Sequence, residues 1–168
     1  MKAKKLFVTL LLVLVSGTAF SDVEIGDMPY ERLGVGGDGE EININEHHGK
    51  VLIITFWATW CGPCMKEIPL LSGIQKRVGS EQLQVFAVSY RESKKMFNAV
   101  SETLSDNPII FSYDKRGYVA RRYGVKAIPH MVIVGKDGKV SAKHIGYSEQ
   151  QIPKLVEEIN ALLLSNRG

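Results

Sequence analysis

The order of apolar and polar segments predicts an α/β domain in which a mixed central sheet is flanked by helices. Residues 51–58 and 83–90 are near-continuous runs of apolar, mostly β-branched or aromatic residues, the pattern of strands buried on both faces. A helical repeat lies between these runs, and a strand–helix–strand unit implies parallel pairing. Asp137-Gly138, between two β-rich runs, predicts a hairpin that adds antiparallel strands.

The other elements have weaker local signals. A helix is predicted over residues 62–78 because apolar residues recur at three- or four-residue spacing: Met65, Ile68, Leu71, Ile74 and Val78. Pro63 is tolerated in the first turn, whereas Pro69 is expected to kink the helix. Shorter elements are predicted at 42–44 (strand), 93–104 (helix), 109–114 (strand), 118–124 (helix) and 148–164 (a capped amphipathic helix). The segment before residue 51 is expected to add an N-terminal β-hairpin at the edge, with a turn at 36–39.

Charge and length exclude some classes of function. The chain has 168 residues, which fits one domain. Its formal net charge of +3 comes from Lys2, Lys4 and Lys5, because the rest of the chain has equal numbers of acidic and basic residues. No overall basic field remains, so the composition does not favour nucleic acid as a partner.

Residues 1–21 are typical of an export signal peptide, with early lysines, an apolar run over 6–15 and small residues up to Ser21. Cleavage after Ser21 would leave residues 22–168 as the folded domain, and cleavage after Ala19 is the second choice. The alternative is an uncleaved anchor, although the apolar run is about half of the roughly 20 residues that a spanning helix needs. Both interpretations place the domain outside the cytoplasmic membrane, and we expect the bacterial periplasm.

The two cysteines, Cys61 and Cys64, are separated only by Gly62 and Pro63. A disulfide that closes so short a loop adds little stability, so the pair indicates chemistry. Cys61 falls at the predicted start of a helix, where free N–H groups and the helix dipole favour a thiolate. Cys64, one turn later, can resolve the mixed disulfide that Cys61 forms. The alternative is half of a zinc site, which needs two further ligands. The histidines show no suitable spacing for it: His47, His48, His130 and His144.

WCGPC, with Phe56-Trp57-Ala58 before it, resembles the active site of thioredoxin. The longer frame resembles the exported TlpA/ResA-like branch of the thioredoxin superfamily, from about Asp27 to the C-terminal helix. The matching motifs are GKV at 49–51, FWATWCGPC at 56–64, KEIP at 66–69, RYGV at 122–125, IP at 128–129 and DGK at 137–139. This resemblance implies a thioredoxin-like three-layer fold.

The resemblance also implies roles for residues beyond the cysteines. Pro129 is expected to be cis and to pack opposite the cysteine pair, while the peptide around Ile128 presents backbone groups to a substrate strand. Thioredoxin carries a buried acid six residues before its first cysteine, but Thr55 occupies that position here. Glu67 resembles the acid that the TlpA/ResA-like branch uses instead, and a buried carboxyl can accept the proton of Cys64. A solvated helix glutamate is the alternative.

Three further predictions concern the surroundings of the cysteine pair. Trp60 is expected to shield the disulfide and, with Gly62 and Pro63, to contact substrate, whereas Trp57 belongs to the core. His130 departs from the residue that the family leads us to expect after Pro129. It either lies near the sulfurs and tunes their pKa or makes a local hydrogen bond.

These observations predict an exported thiol–disulfide oxidoreductase that reduces protein disulfides, with no cofactor besides the redox-active cysteine pair and no resident metal. The expected partners are proteins with disulfides or thiols and a membrane thiol reductase as electron donor. We expect a monomer, with a membrane contact only if the N-terminus stays uncleaved. The resemblance suggests work such as cytochrome c maturation. An oxidase or isomerase, a copper or metal chaperone that uses the same cysteines and, least of all, a peroxidase are the alternatives.

Overall fold

The computed structural model describes residues 22–165, so the predicted export signal lies outside the described residues. Its strands are β1 (Arg32–Val35), β2 (Glu41–Asn43), β3 (Val51–Trp57), β4 (Leu83–Ser89), β5 (Ile110–Ser112), β6 (His130–Val134) and β7 (Val140–Ile145). Its α-helices are α1 (Gly62–Val78), α2 (Lys94–Thr103), α3 (Tyr118–Arg122) and α4 (Ile152–Leu164). Within residues 22–165, no helix is long and apolar enough to cross a bilayer.

Five strands form the central sheet in the order β5-β4-β3-β6-β7. Strands β3, β4 and β5 are parallel, whereas β6 and β7 are antiparallel to their neighbours, as the sequence predicts. All seven residues of β3 and all seven of β4 are buried, because helices and loops cover both faces of the sheet. Because β3, β4 and β5 are parallel, their carboxyl ends meet at one edge of the sheet, which we call the loop edge.

Side chains of β3 alternate between two hydrophobic clusters, one on each face of the sheet. Ile53 and Trp57 pack with Leu71 of α1 and with residues of α2 and α4. Ile54 and Phe56 pack on the other face with residues of α3 and of the N-terminal segment. The predicted layering of helix, sheet and helix is confirmed.

The N-terminal hairpin forms as predicted, but β1 and β2 make a sheet of their own. The hairpin contacts the central sheet through a bridge in which Val35 and Tyr113 exchange backbone hydrogen bonds beyond the end of β5, and the hydroxyl of Ser112 in β5 donates a hydrogen bond to the carbonyl of Leu33. At the other end of the chain, Ser148 does not cap α4. It precedes a 3₁₀ turn, its hydroxyl bonds Gln150, and α4 begins at Ile152.

Candidate active site

The cysteine pair lies where β3 passes into α1. The strand ends at Trp57, three residues form a tight loop, and Cys61 is the N-cap of α1, with extended backbone dihedrals. The two sulfurs form a disulfide, with the Cα atoms 5.3 Å apart. The predicted positions at the strand end and in the first helical turn are confirmed.

The helix terminus presents donors to the first sulfur. The backbone N–H of Cys64 points at Sγ of Cys61, at an N···S distance of 3.3 Å. No acidic residue lies in the first turn of α1, so nothing there opposes the positive end of the helix dipole. This arrangement favours a thiolate at Cys61 once the disulfide is reduced. Cys61 is 5% exposed and Cys64 is fully buried, so a substrate reaches Cys61 first.

Glu67 lies one turn after Cys64 on the same side of α1. It is only 3% exposed, which confirms burial over the alternative of a solvated glutamate. Residues three apart on a helix are neighbours, with Cβ atoms about 5–6 Å apart, so the carboxyl lies within reach of the Cys64 sulfur. Burial raises the pKa of Glu67 to about 7, against an opposing hydrogen bond from Thr55. A group that titrates near neutral pH can accept a thiol proton and later return it.

Thr55 is a site residue that the sequence reasoning missed. It lies on β3, fully buried, and its hydroxyl donates a 2.6 Å hydrogen bond to Oε2 of Glu67. The sequence shows a single hydroxyl in an otherwise apolar strand, which was the available signal. Thioredoxin has its buried acid at this position of β3. Here the position holds Thr55, which bonds the acid on α1, Glu67.

Pro129 precedes β6, and its peptide bond with Ile128 is cis, as predicted. Because β6 is antiparallel to β3 and His130 pairs with Phe56, the proline lies at the loop edge. The carbonyl of Pro129 accepts a hydrogen bond from the N–H of Gly146. Within residues 22–165, the backbone of Ile128 makes no hydrogen bond, so its N–H and C=O remain available.

The surface around the disulfide is apolar. Trp60 is 61% exposed, and Gly62 and Pro63 are exposed beside it on the first helical turn. Trp57 is fully buried and packs edge-on against Phe111, which confirms its place in the core. The contact of these three surface residues with substrate stays a prediction.

Ile145 is a second residue that sequence reasoning missed. It ends β7, is 65% exposed and pairs with the residue after Pro129. Because paired residues of neighbouring strands point to the same face, its side chain lies with that of His130 on the face away from the cysteines.

A carboxylate fixes the loop that carries Trp60. Oε2 of Glu92 accepts hydrogen bonds from the backbone N–H and the hydroxyl of Thr59, at 2.8 and 2.6 Å. Oε1 accepts a third from the backbone of Ser93. Partial burial would raise the pKa of Glu92, but these hydrogen bonds outweigh it and lower the pKa. Sequence reasoning missed this link because 33 residues separate its partners.

The prediction that His130 lies near the sulfurs is wrong. Its ring packs edge-on against Phe56, whose side chain belongs to the cluster on the face away from the cysteines. Paired residues of neighbouring strands point to the same face, so His130 shares that face with Phe56. The side chain is 2% exposed, and neither ring nitrogen has a hydrogen-bond partner within the described part of the chain. The predicted local hydrogen bond is therefore absent among these residues, and burial lowers the pKa of His130. The contact of His130 with substrate stays a prediction.

Two of the remaining histidines have ring or side-chain partners, and one of them, His144, lines a small pocket together with Glu67. His47 packs edge-on against Phe86, and Nε2 of His144 bonds Oε2 of Glu158 at 2.7 Å. Among residues 22–165, no group of three or more His, Cys, Asp or Glu side chains is placed to hold a metal ion.

Comparison with known proteins agrees with this geometry. The Redoxin family model matches residues 16–163. Thiol-disulfide oxidoreductase ResA of Bacillus cereus is 26% identical over 171 residues, covering 94% of this chain and 98% of the relative. Thioredoxin-like protein YneN of Bacillus subtilis is 33% identical over 112 residues, 64% of each chain.

Solved structures show the same fold. A Chlorobium tepidum structure, described as a candidate thiol:disulfide interchange protein DsbE, superposes with a TM-score of 0.72 at 26% identity. The match covers 84% of this chain and 99% of that one. The chain therefore belongs to the Redoxin family, as a TlpA/ResA-like member of the thioredoxin superfamily, and is a thiol–disulfide oxidoreductase whose redox pair is Cys61 and Cys64.

Proposed function

We propose that this chain reduces disulfides of proteins in the bacterial periplasm. The observation that carries the proposal is the order of burial. Cys61, which is 5% exposed, lies at a helix terminus, the fully buried Cys64 lies one turn below it, and a buried carboxyl with a pKa of about 7 follows. This order of burial makes Cys61 the attacking cysteine and Cys64 the resolving cysteine, with Glu67 as the proton acceptor of Cys64.

The reaction starts from the reduced pair. The Cys61 thiolate attacks one sulfur of a substrate disulfide, forms a mixed disulfide and releases the other substrate sulfur as a thiolate. Glu67 accepts the proton of Cys64, and the Cys64 thiolate attacks Sγ of Cys61. The substrate leaves with its second thiolate, and two electrons have passed from the enzyme to the substrate.

Substrate binding uses backbone as well as side chains. The free N–H and C=O of Ile128 can pair with an extended substrate segment beside the cysteines, a form of β-augmentation. The exposed indole of Trp60 and the first turn of α1 at Gly62 and Pro63 offer an apolar surface on the other side of the disulfide. Backbone pairing tolerates varied sequences, which suits an enzyme that acts on more than one protein.

The reducing direction rests on analogy with the dipeptide between the cysteines. Gly62-Pro63 is the dipeptide of thioredoxin, a reductant with a potential of about −270 mV, whereas the oxidant DsbA lies near −120 mV. Because the periplasm has no thiol buffer, a reductase there needs a membrane thiol reductase as electron donor. Maintaining apocytochrome c thiols for haem attachment is one task of this kind, and we expect the enzyme to act as a monomer.

Trapping distinguishes the roles of the two cysteines. In Cys64→Ser, the mixed disulfide at Cys61 cannot be resolved, so substrate proteins should accumulate on the variant and can be named by mass spectrometry. Cys61→Ser is the matched control and should trap far fewer. Equal trapping by both variants would contradict the assignment.

The direction is tested separately by the reduction potential of the pair against glutathione. A value well above about −200 mV would favour an oxidase or isomerase instead.

A further inference from the structure

Two loops at the loop edge hold arginines in an unusual backbone conformation. Within residues 22–165, Arg91 and Arg116 are the non-glycine residues with positive φ, at 50° and 65°. Arg91 follows β4 by two residues, and Arg116 follows β5 by four. Left-handed backbone is disfavoured for an arginine, and where it occurs it concentrates at functional sites. The same edge carries the cysteine pair.

Three exposed cations of these loops, Arg91, Lys115 and Arg116, are called the loop cations here. None of them takes part in an ion pair recorded among the described residues. The guanidinium of Arg91 lies over the ring of Tyr90, 5.1 Å from its centroid. The two loops carry these three cations against two acidic residues, Glu92 and Asp114, so their net charge is +1, whereas residues 22–168 carry none.

The acidic residues next to the loop cations are already engaged. Glu92 accepts two hydrogen bonds from Thr59 of the active-site loop and a third from the backbone N–H of Ser93. Asp114 is buried, and its two oxygens accept from the backbone N–H groups of Val119 and Ala120 at the start of α3. The loop cations are therefore free to meet carboxylates of another molecule.

A groove of about 260 Å³ adjoins Lys115. Tyr30, Tyr113 and Tyr118 line it together with the exposed ion pair of Arg32 and Glu41, and Tyr118 is half exposed. Tyrosine hydroxyls and the lysine ammonium are hydrogen-bond donors to carboxylates, while the rings accept apolar parts of a peptide. The groove and the loop cations thus offer the two kinds of contact that an acidic segment needs.

The lateral distance between the strands that carry these loops follows from the sheet. Strands β3, β4 and β5 are neighbours, and adjacent strands lie about 4.8 Å apart. The ends of β4 and β5 are therefore displaced from the end of β3 by roughly 5 and 10 Å. An extended peptide advances about 3.3 Å per residue, so about three residues span the larger distance.

We propose that the loop cations and the adjoining tyrosine groove bind an acidic segment of the protein substrate, placed about three to six residues from its reactive cysteine. The inference rests on the proposed function, because it names a feature of the proteins that Cys61 attacks. In this proposal Arg91, Lys115 and Arg116 select the substrate, and the two cysteines reduce its disulfide.

The test uses a variant that removes charge without adding backbone strain. Asparagine tolerates positive φ better than most residues, so Arg91→Asn with Arg116→Asn keeps the loop conformation while removing two charges. Lys76→Gln with Lys139→Gln removes two exposed charges at the opposite edge, near the end of α1 and in the β6–β7 turn, and serves as the matched control.

Two readouts separate docking from catalysis. Binding is measured by fluorescence anisotropy between the oxidised protein and a labelled peptide whose cysteine is replaced by serine. Reduction is measured by stopped-flow fluorescence with the matching disulfide-linked peptide. Each peptide is made with Asp or Glu three to six residues from the cysteine, with Gln there, or with the acidic residues moved ten residues away.

We expect the wild-type protein to bind and reduce the acidic peptide about tenfold better than the Gln peptide at low ionic strength. The preference should disappear above about 0.5 M salt, since salt screens exposed charges. The Arg91/Arg116 double variant should lose most of this preference, the Lys76/Lys139 variant should keep it, and distant acidic residues should give none.

Equal affinity for acidic and Gln peptides, or an equal loss in the two double variants, would overturn the docking proposal. Failure of the proposed function looks different. In that case the wild-type protein would bind the acidic peptide selectively yet reduce neither disulfide, although dithiothreitol still cycles the Cys61–Cys64 pair.

Discussion

Replacing Glu67 by Gln removes a buried carboxyl, and the structure sets how stability should respond to pH. The pKa of Glu67 is about 7 in the folded protein, against 4.5 for an ordinary glutamate. Below pH 4.5 both states hold the proton and the group contributes nothing. Between pH 4.5 and 7 the unfolded chain releases its proton while the folded chain keeps it, so stability falls as pH rises.

The size of this effect follows from the difference in pKa. Each pKa unit corresponds to about 1.36 kcal/mol, so burial of this carboxyl should lower the free energy of unfolding by about 3 kcal/mol above pH 7 relative to pH 4. Glu67→Gln lacks the titrating group. Its stability relative to wild type should therefore increase by about 3 kcal/mol between pH 4 and pH 8.

The assay is urea unfolding of the oxidised proteins at several pH values, with the free energy of unfolding obtained by linear extrapolation. Glu102→Gln, on the exposed side of α2, is the control and should follow wild type in parallel. If the curves of wild type and Glu67→Gln stay parallel from pH 4 to 8, the reasoning that Glu67 is buried with a raised pKa is refuted.

Three other changes have definite expected outcomes. Thr55→Val removes a hydrogen bond to the Glu67 carboxylate worth about 1.5–3 kcal/mol, so the pKa of Glu67 should rise by about 1–2 units in a ¹³C NMR titration. An unchanged titration would contradict the role of Thr55. Tyr123→Phe removes the bond from the phenol to the carbonyl of Tyr30 and should lower the free energy of unfolding by about 1 kcal/mol in urea. Leu71→Ala leaves a cavity under the sheet and should cost about 2–5 kcal/mol in the same measurement, and a smaller loss would mean that the core repacks.

The elements that the sequence predicted well are those with a strong period. β3 and β4 are buried on both faces, so their apolar runs are nearly unbroken, and the spacing of apolar residues in α1 predicted its bounds at Gly62 and Val78. The spacing of apolar residues does not show whether a side-chain hydroxyl forms a hydrogen bond with the backbone. The expected cap of α4 therefore failed, because the Ser148 side chain bonds Gln150 and a 3₁₀ turn begins the helix.

Contacts between residues far apart in the sequence could not be predicted from the sequence. The bond between Thr55 and Glu67 joins a strand to a helix across 12 residues, and only the packing of α1 on β3 brings the two together. For His130, the alternation of β6 placed its ring with Val132 and away from Met131, but the sequence alone does not say which of these faces the cysteines. The WCGPC motif predicted where the two sulfurs lie. Only the strand register in the structure showed which side chains lie on the same face as the sulfurs.

The backbone between residues 24 and 35 covers one end of each margin of the central sheet. Val35 bridges Tyr113 beyond the end of β5, and Gly26 and Asp27 exchange hydrogen bonds with Val140 at the start of β7. A strand with unpaired N–H and C=O groups invites a second molecule to add to it. A shortened chain that begins near residue 50 would expose both margins. It should therefore self-associate at concentrations where the longer chain remains dispersed, even with its cysteine pair untouched.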